Sequence, residues 1–441
     1  MRRSDKLRIL SLFDGMACGM LAMQSAGIKV DRYVAYEYDE ETASATKGRP
    51  YGFAALTSAH NFPMIEHRGD VFQGDFTEFC GFDFLIGGSP CTKWSIARTT
   101  GREIEASGIG WELFCQYVRA LHEAKPKYFI YENNKSMHNN IRTAITEAFG
   151  FEPICINSAL VSAQNRQRLY WVGKRNPDGT YSRVKVDQPE DRGILLRDVL
   201  DCSVAINTTA DGDKARTLMA GYYKYGTATL ITNEGFTGGT TAVAEPINVT
   251  KDGKEQTIRA TCYKDGIRNM VGNDVDRRTC VAEPVPFVLG KLADAADKFG
   301  YIPEMWNPYN NAEIIDKSPT LTTCCNRQTS SSSVMIFDKY AAPIEWDEYG
   351  RPTKAISISD GKVHPAYEVK DGQITIKGKQ YPIKLADGFY IIRKLTVSEC
   401  KRLQTVPEWF VLPVSDTQAY KMLGNGWTVL VVAHLIRATQ I

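Results

Sequence analysis

Cys91 lies in "FDFLIGGSPCTKWS", where a short apolar run meets a glycine-rich turn carrying a Pro-Cys pair. A cysteine acts as a nucleophile through its thiolate, so it needs an accessible, electropositive position. A turn at the end of a strand, with Lys93 two residues on, offers one. The plainer reading is a structural cysteine on a turn. Glu132, in "YENNK", ends the apolar stretch "KYFIYEN". Partial burial there would raise its pKa and suit it to acid catalysis. Arg166 and Arg168, in "AQNRQRLYW", share one face of an extended chain and could hold a carbonyl oxygen or a phosphate bidentately. Their plainer reading is a solvated basic strand edge.

A second group of residues suggests a nucleotide-like ligand. "SLFDGMACG" ends an apolar run with a glycine turn that opens a helix, which lets a ligand approach the backbone and the helix N-terminus. Glu37, at the end of "VDRYVAYEYD", is placed to hydrogen-bond ribose hydroxyls. Asp70 in "RGDVF" and Asp75 in "QGDF" are both placed to reach an adenine amino group. Together they point to an adenosine-containing cofactor. No P-loop lysine motif accompanies them, which disfavours ATP.

These residues need a scaffold that brings them to one edge. Residues 7–175 alternate strand-like and helix-like patterns. "LRILSLFDG", "VDRYVAYEYD", "FDFLIGG", "KYFIYEN" and "RLYWVGKR" read as strands. "MACGMLAMQSAG", "GWELFCQYVRALHEAKP" and "IRTAITEAFG" read as helices. Such alternation predicts an open, mostly parallel α/β sheet, whose ligands sit at the C-terminal ends of the strands. Phe13 to Gly15, Glu37, Pro90-Cys91 and Glu132-Asn133 all fall at those ends.

From about 191 to 390 helical periodicity fades, and Gly, Thr, Asn and Asp become frequent among aromatic and β-branched residues. This predicts a β-rich insertion. "ARTLMAGYY", "QTIRATCYK" and "SPTLTTCCN" resemble one another weakly, as either a duplicated recognition unit or hairpins with similar turns. After 391, "RKLTVSECKRLQTVP" has capping-box spacing, with Thr396 three residues before Glu399. "AYKMLGNGWTVLVVAHLIRATQI" then reads as a turn followed by an apolar helix. The expected domains are 1–190, 191–390 and a returning segment, 391–441.

With 441 residues and 43% hydrophobic content the chain buries a sizeable core easily. No apolar run reaches about 18 residues, so no membrane span is expected and a cytoplasmic protein is. A net charge of +2 neither requires nor excludes a nucleic-acid partner. The eleven cysteines show no C-x-x-C spacing, so neither a metal site nor a disulfide framework is expected.

In order, "LFDGMACG", "YEYD", "GDV", "GGSPCTKWS", "YENN", "QNRQR", "RKLTVSECKRLQ" and "AYKMLGNG" resemble the motifs of the DNA cytosine-5 methyltransferases. They cover roughly 1–175 and 391–441, and the family's variable segment falls between. "SLFDGMACGMLAMQSAGIKVDRYVAYE" and "IGGSPCTKWSIA" look particularly like the vertebrate de novo enzymes, although a bacterial or phage source is expected. The resemblance implies a Rossmann-like methyltransferase sheet that binds S-adenosylmethionine, with the β-rich insertion as target-recognition domain. Cys91 would add to C6 of a flipped cytosine in double-stranded DNA, and Glu132 would hold N3. Arg168, helped by Arg166, would hold the O2 side and nearby backbone. Phe13, Asp14, Gly15, Glu37, Asp70, Val71, Pro90 and Asn425 would contact the cofactor, with Asp70 preferred over Asp75. The roughly twenty residues after Cys91 would form a mobile loop closing over the base, and the last helix would pack beside the first strand. A monomer is expected, serving restriction–modification or phage protection.

The chain departs from the family pattern at Asp14, Ala17 and Cys18 in the first turn, at Asn134 after "EN", and at Gly426 in "GNG". A tRNA-directed member of the family is the alternative, disfavoured by the large β-rich segment. A silent relative is disfavoured by the intact Pro-Cys and Glu-Asn pairs. Arg216, Arg259, Arg277, Arg278 and Arg327 are candidate base readers.

Overall fold

The structure is a computed structural model. It describes residues 6–39, 52–90, 94, 101–194, 196–199, 201, 295–301, 303, 305–307, 312–314, 318–319, 335–338, 341–357, 360–376, 378–382, 387–394 and 396–440. The chain divides into two compact units. One comprises Met1–Leu195, Lys317–Cys325 and Cys400–Ile441; the other comprises Leu196–Asp316 and Asn326–Glu399.

The first unit is built on an eight-stranded sheet. Strand β1 (Lys6–Leu12) buries Ile9, Leu10 and Leu12, and helix α1 (Cys18–Ser25) follows it. Gly27, at φ +78°, takes the left-handed conformation that ends α1 and turns the chain into β2 (Lys29–Tyr36). Helix α2 (Gly52–Asn61), which sequence periodicity did not reveal, leads to the short β3 (Glu66–His67). Strand β4 (Phe84–Gly87) pairs on the far side of β1, with Ile9 opposite Phe84 and Leu12 opposite Gly87. An added Cβ on Gly87 would lie 2.5 Å from the Leu12 carbonyl oxygen, so this register requires glycine there.

Helix α3 (Gly108–Ala124), strand β5 (Tyr128–Asn134) and helix α4 (Asn139–Phe149) come next, then β6 (Ile154–Asn157), β7 (Gln164–Asn165), β8 (Gln167–Arg175) and β9 (Tyr181–Arg183). The main strand order is β3-β2-β1-β4-β5-β8-β6. The pairs through β5 are parallel, whereas β8 runs antiparallel to both β5 and β6. The chain moves outward from β1 in one direction, then restarts at β4 in the other. That reversal opens a crevice at the C-terminal ends of β1 and β4, where sheets of this kind bind ligands. Tyr117, Phe129, Tyr131, Phe149 and Trp171 pack within the core, and the Tyr117 hydroxyl bonds to the Leu85 and Ile130 carbonyls.

The predicted capping box forms at helix α5 (Val397–Leu403). The Thr396 hydroxyl accepts from the Glu399 N–H at 3.1 Å, and the Glu399 carboxylate accepts from the Thr396 N–H at 2.7 Å. Helices α6 (Asp416–Asn425) and α7 (Val429–Ala438) follow in the first unit. Helix α7 packs against α1, and the Arg437 guanidinium donates to the Ser25 carbonyl at the end of α1. The expected neighbour was the first strand; the apolar face of α7 meets instead the helix that follows that strand.

The second unit is antiparallel where described. Its main path runs Ala312–Glu313, Met305–Asn307, Met335–Asp338, Gly388–Lys394, Val363–Lys370, Pro352–Ser357, Ala341–Trp346, with Gln373–Ile376 and Lys379–Pro382 appended. The fold is therefore an α/β sheet core with an additional β-rich sheet, as the sequence predicts. The candidate base readers Arg216, Arg259, Arg277, Arg278 and Arg327 lie outside the described residues.

Candidate active site

At the end of β1, Phe13 (φ 57°), Gly15 (φ 61°) and Ala17 (φ 69°) all adopt left-handed backbone. Only glycine does so without strain, so Phe13 and Ala17 are held by their surroundings. The Asp14 N–H donates to the Tyr36 carbonyl at 3.2 Å, and the Gly15 N–H donates to Glu37 Oε2 at 2.9 Å. These two bonds fasten the turn to the end of β2.

The Asp14 carboxyl is buried. Its Oδ1 accepts from the Ser11 and Tyr33 hydroxyls, each at 2.6 Å, while Oδ2 is buried without a hydrogen-bond partner. Burial pushes its pKa up to about 6, against the opposing pull of the two hydroxyls. Burial likewise raises Glu37 to about 7. The Gly15 N–H opposes this rise, the Asp14 and Asp39 charges add to it, and Lys421 draws it back. Near neutral pH the Glu37 carboxyl can therefore present either a proton or a lone pair.

Asp70 caps the short turn Val71–Gln73, accepting from the Phe72 N–H at 3.0 Å, with Val71 buried. Arg119 braces that turn from α3 through the Val71 and Gly74 carbonyls at 3.0 and 2.9 Å. Asp75 instead binds its own turn, accepting from the Thr77 hydroxyl at 2.6 Å and the Thr77 N–H at 3.0 Å.

At the end of β4, Ser89 is buried with its hydroxyl 2.6 Å from the Tyr131 hydroxyl, and Asn133 Nδ2 donates to the Ser89 carbonyl at 3.2 Å. Pro90 is exposed, and Cys91 to Lys93 lie outside the described residues. Further along the expected mobile loop, Trp94 is fully buried. Its indole N–H donates to Glu103 at 2.9 Å, and its carbonyl accepts from Arg102 at 3.2 Å. The loop's final residues already belong to α3, which starts at Gly108.

On the other side of the crevice, β5 and β8 pair Glu132 with Tyr170 and Asn134 with Arg168. Glu132 and Arg168 are thus diagonal neighbours on one face of the sheet. Glu132 Oε1 lies 3.0 Å from Arg168 Nε, with both side chains 12% exposed. Glu132 Oε2 accepts from the Trp427 indole N–H at 3.0 Å. Asn134 is buried and engaged locally: its N–H donates to Asn133 Oδ1 and its Oδ1 accepts from Ser136.

Arg166, expected to assist Arg168, reaches the turn after α6. It is 3% exposed, and its guanidinium donates to the Gly424 and Gly426 carbonyls at 3.3 and 2.9 Å. Arg166 falls in the break between β7 and β8, so the alternation of a continuous strand does not set the direction of its side chain. Gln404 holds the same turn through the Leu423 carbonyl at 2.6 Å, and Thr428 donates to Gln404 at 2.9 Å. Asn425 is exposed at the end of α6.

The structure thus joins Asp14, Gly15 and Glu37 in one group and Glu132 with Arg168 in another. It gives Arg166 to the Gly424–Gly426 turn. Ser11, Tyr33, Gly88 and Trp427 escaped the sequence reading. An aromatic residue directly after the "GNG" turn was the available signal for Trp427.

A sheet that reverses at β1–β4 and carries acids at its strand ends defines a cofactor-binding α/β enzyme class. Residues 7–440 match the model of the C-5 cytosine-specific DNA methylases, so the chain belongs to that family and is a DNA cytosine-5 methyltransferase. Over 98% of its length, and 97% of the relative's, it is 23% identical to the orphan methyltransferase M.SPRI of Bacillus phage SPR. It is 28% identical to the type II methyltransferase M1.ScrFI of Lactococcus lactis subsp. cremoris, over 60% of this chain and 64% of that one. It shares its fold with a DNMT2 variant of Spodoptera frugiperda, at a TM-score of 0.50 and 14% identity over 99% of this chain and all of the other. Among the described residues no helix is long and apolar enough to cross a membrane.

Proposed function

We propose that this methyltransferase modifies C5 of a flipped-out cytosine at a specific sequence in double-stranded DNA, through a covalent bond between Cys91 and C6. The observation that carries this reading is the Glu132 carboxylate, fixed on both oxygens at the end of β5 beside the glycine-rich loop that leads to Cys91.

Cytosine C5 is a poor nucleophile in the intact aromatic ring. Addition of the Cys91 thiolate to C6 makes C5 enamine-like, and Glu132, in its protonated form, relieves the developing charge by giving its proton to N3 and taking it back when the ring is restored. Arg168, on the same face, holds the O2 side. A base stacked in a duplex exposes neither face of C6, so the base must leave the helix. Transfer of the C5 proton to a base and expulsion of Cys91 as thiolate restore the ring.

The residues around β1 and β2 fit S-adenosylmethionine. Asp14 keeps an unpartnered buried oxygen, and Glu37 near neutrality can give and take hydrogen bonds with ribose hydroxyls. Phe13, Gly15, Asp70, Val71, Pro90 and Asn425 complete the proposed cradle. When bound, the cofactor supplies an electrophilic methyl group. Arg166 serves by bracing the Gly424–Gly426 turn.

In this reading residues 1–190 and 391–441 form the catalytic domain, and 191–390 read the target sequence. The enzyme acts as a monomer inside a bacterial or phage-infected cell. The phage relative is an orphan methyltransferase, which favours protection without a dedicated restriction partner.

The test is nucleoside mass spectrometry of unmethylated duplex DNA incubated with S-adenosylmethionine and either the protein or its Cys91→Ala variant. 5-Methylcytosine is expected with the former alone. Methylation by the variant would remove Cys91 as nucleophile. Labelling of tRNA with none in DNA would overturn the acceptor.

A further inference from the structure

Arg168 explains one oxygen of the Glu132 carboxylate and leaves the other to Trp427. The indole N–H reaches Oε2 at 3.0 Å from a residue 295 positions away in the chain. Trp427 does not arrive there on a loose tail. The Gly426 carbonyl before it is held by Arg166 at 2.9 Å and by Gln404 at 3.3 Å. After it, the Thr428 hydroxyl donates to Gln404 at 2.9 Å and accepts from Ser158 at 2.8 Å, and the Val429 N–H donates to the Gln404 carbonyl at 3.0 Å. Both flanks of Trp427 are therefore pinned to the catalytic unit.

A carboxylate at the end of a glutamate side chain turns broadly about its last torsion. A single contact at Oε1 lets its plane swing about that contact, and a second donor at Oε2 removes the swing. With each oxygen accepting one bond, the carboxyl can still carry on one of them the proton that the ring nitrogen, itself an acceptor, receives. An indole N–H suits this task because it donates only, cannot exchange roles with the substrate, and brings no second positive charge to the ring. We infer that Trp427 is a positioning residue for methyl transfer, its indole N–H setting the plane in which the Glu132 carboxylate meets the flipped cytosine. The inference rests on the role proposed above for Glu132.

Trp427→Phe keeps an aromatic ring and removes the donor. Its single-turnover methylation rate at saturating cofactor and DNA should fall about 10- to 100-fold, the size expected of a misplaced reacting group. Affinity for S-adenosylmethionine and the melting temperature should stay unchanged. Benzothienylalanine at position 427, which preserves the bicyclic shape and replaces N–H by sulfur, should show the same loss. In a Glu132→Gln background, Trp427→Phe should have no further effect, because the two act as one unit.

A wild-type rate in the benzothienylalanine variant would overturn the inference by assigning the ring a packing role. Additive losses in the double variant would overturn it by placing Trp427's action elsewhere. Full activity in Glu132→Gln alone would instead sink the underlying reading of Glu132.

Discussion

Glu37 stands after β2 and Glu132 near the end of β5, on opposite sides of the β1–β4 reversal. Burial raises the Glu37 carboxyl to about 7, two nearby acids add to the rise, and a single backbone N–H opposes it. Glu132 has a guanidinium on one oxygen and an indole N–H on the other, each at 3.0 Å. One acid is left able to give or take a proton; the other is fixed in plane. A carboxyl that faces sugar hydroxyls profits from exchanging donor and acceptor roles. One that must meet a single ring atom profits from orientation. The same residue type at equivalent strand ends is thus fitted to two tasks by its neighbours.

The sharpest way to break this contrast is Gly88→Ala. The new Cβ would lie 2.7 Å from the Glu132 carbonyl oxygen and 2.9 Å from Oε2, too close to stand without displacing one of them. Methylation should fall about 100-fold, and stability by about 1–3 kcal/mol. Cofactor affinity, for which Glu37 on the far side of the reversal is the proposed ribose contact, should hold. Steady-state kinetics, calorimetric binding and urea unfolding separate these outcomes; an unchanged rate would show that Glu132 tolerates movement.

A second comparison concerns protons. Asp14 rises from 3.8 to about 6 and Glu37 from 4.5 to about 7 on folding. Between about pH 4 and pH 7 the folded protein therefore holds more protons than the unfolded chain, so stability falls as pH rises through that window, by up to about 6 kcal/mol. Asp14→Asn removes one titrating group and its repulsion of Glu37, while its side-chain oxygen still accepts from Ser11 and Tyr33. Unfolding free energies at pH 5 and pH 8 should converge in the variant. An undiminished difference would assign the dependence to other groups.

The smallest effect is expected at Lys421, whose ammonium lies 3.3 Å from Asp39 and draws the Glu37 pKa downward. Lys421→Met should move the pH dependence of cofactor binding slightly upward and change stability by no more than about 0.5 kcal/mol, since the pair is partly exposed. A downward move would contradict the assignment.

Much of this site is legible in the sequence because it depends on strand ends. Short apolar runs that end at polar residues or turns put Asp14, Glu37 and Glu132 at one edge wherever the sheet forms. Thr396 and Glu399 announce their capping box by spacing alone. Arg166 and Trp427 are not legible in that way, because their partners are set by chain closure rather than by local pattern. Arg166 meets carbonyls that lie 258 and 260 residues away. Helix α2 was missed because "GFAALTSAHN" mixes small and polar residues with no clear apolar stripe.

The tie between Trp427 and Glu132 also has a consequence for biosynthesis. A ribosome delivers the first strands, the Cys91 loop and Glu132 long before residues 404–428 emerge, and closing so large a loop comes late in folding. On the proposed mechanism, the nascent chain until then carries Cys91 without a fully oriented Glu132. On that mechanism methylation waits on completion of the chain, and a translation product that stalls before Trp427 is expected to be a poor catalyst.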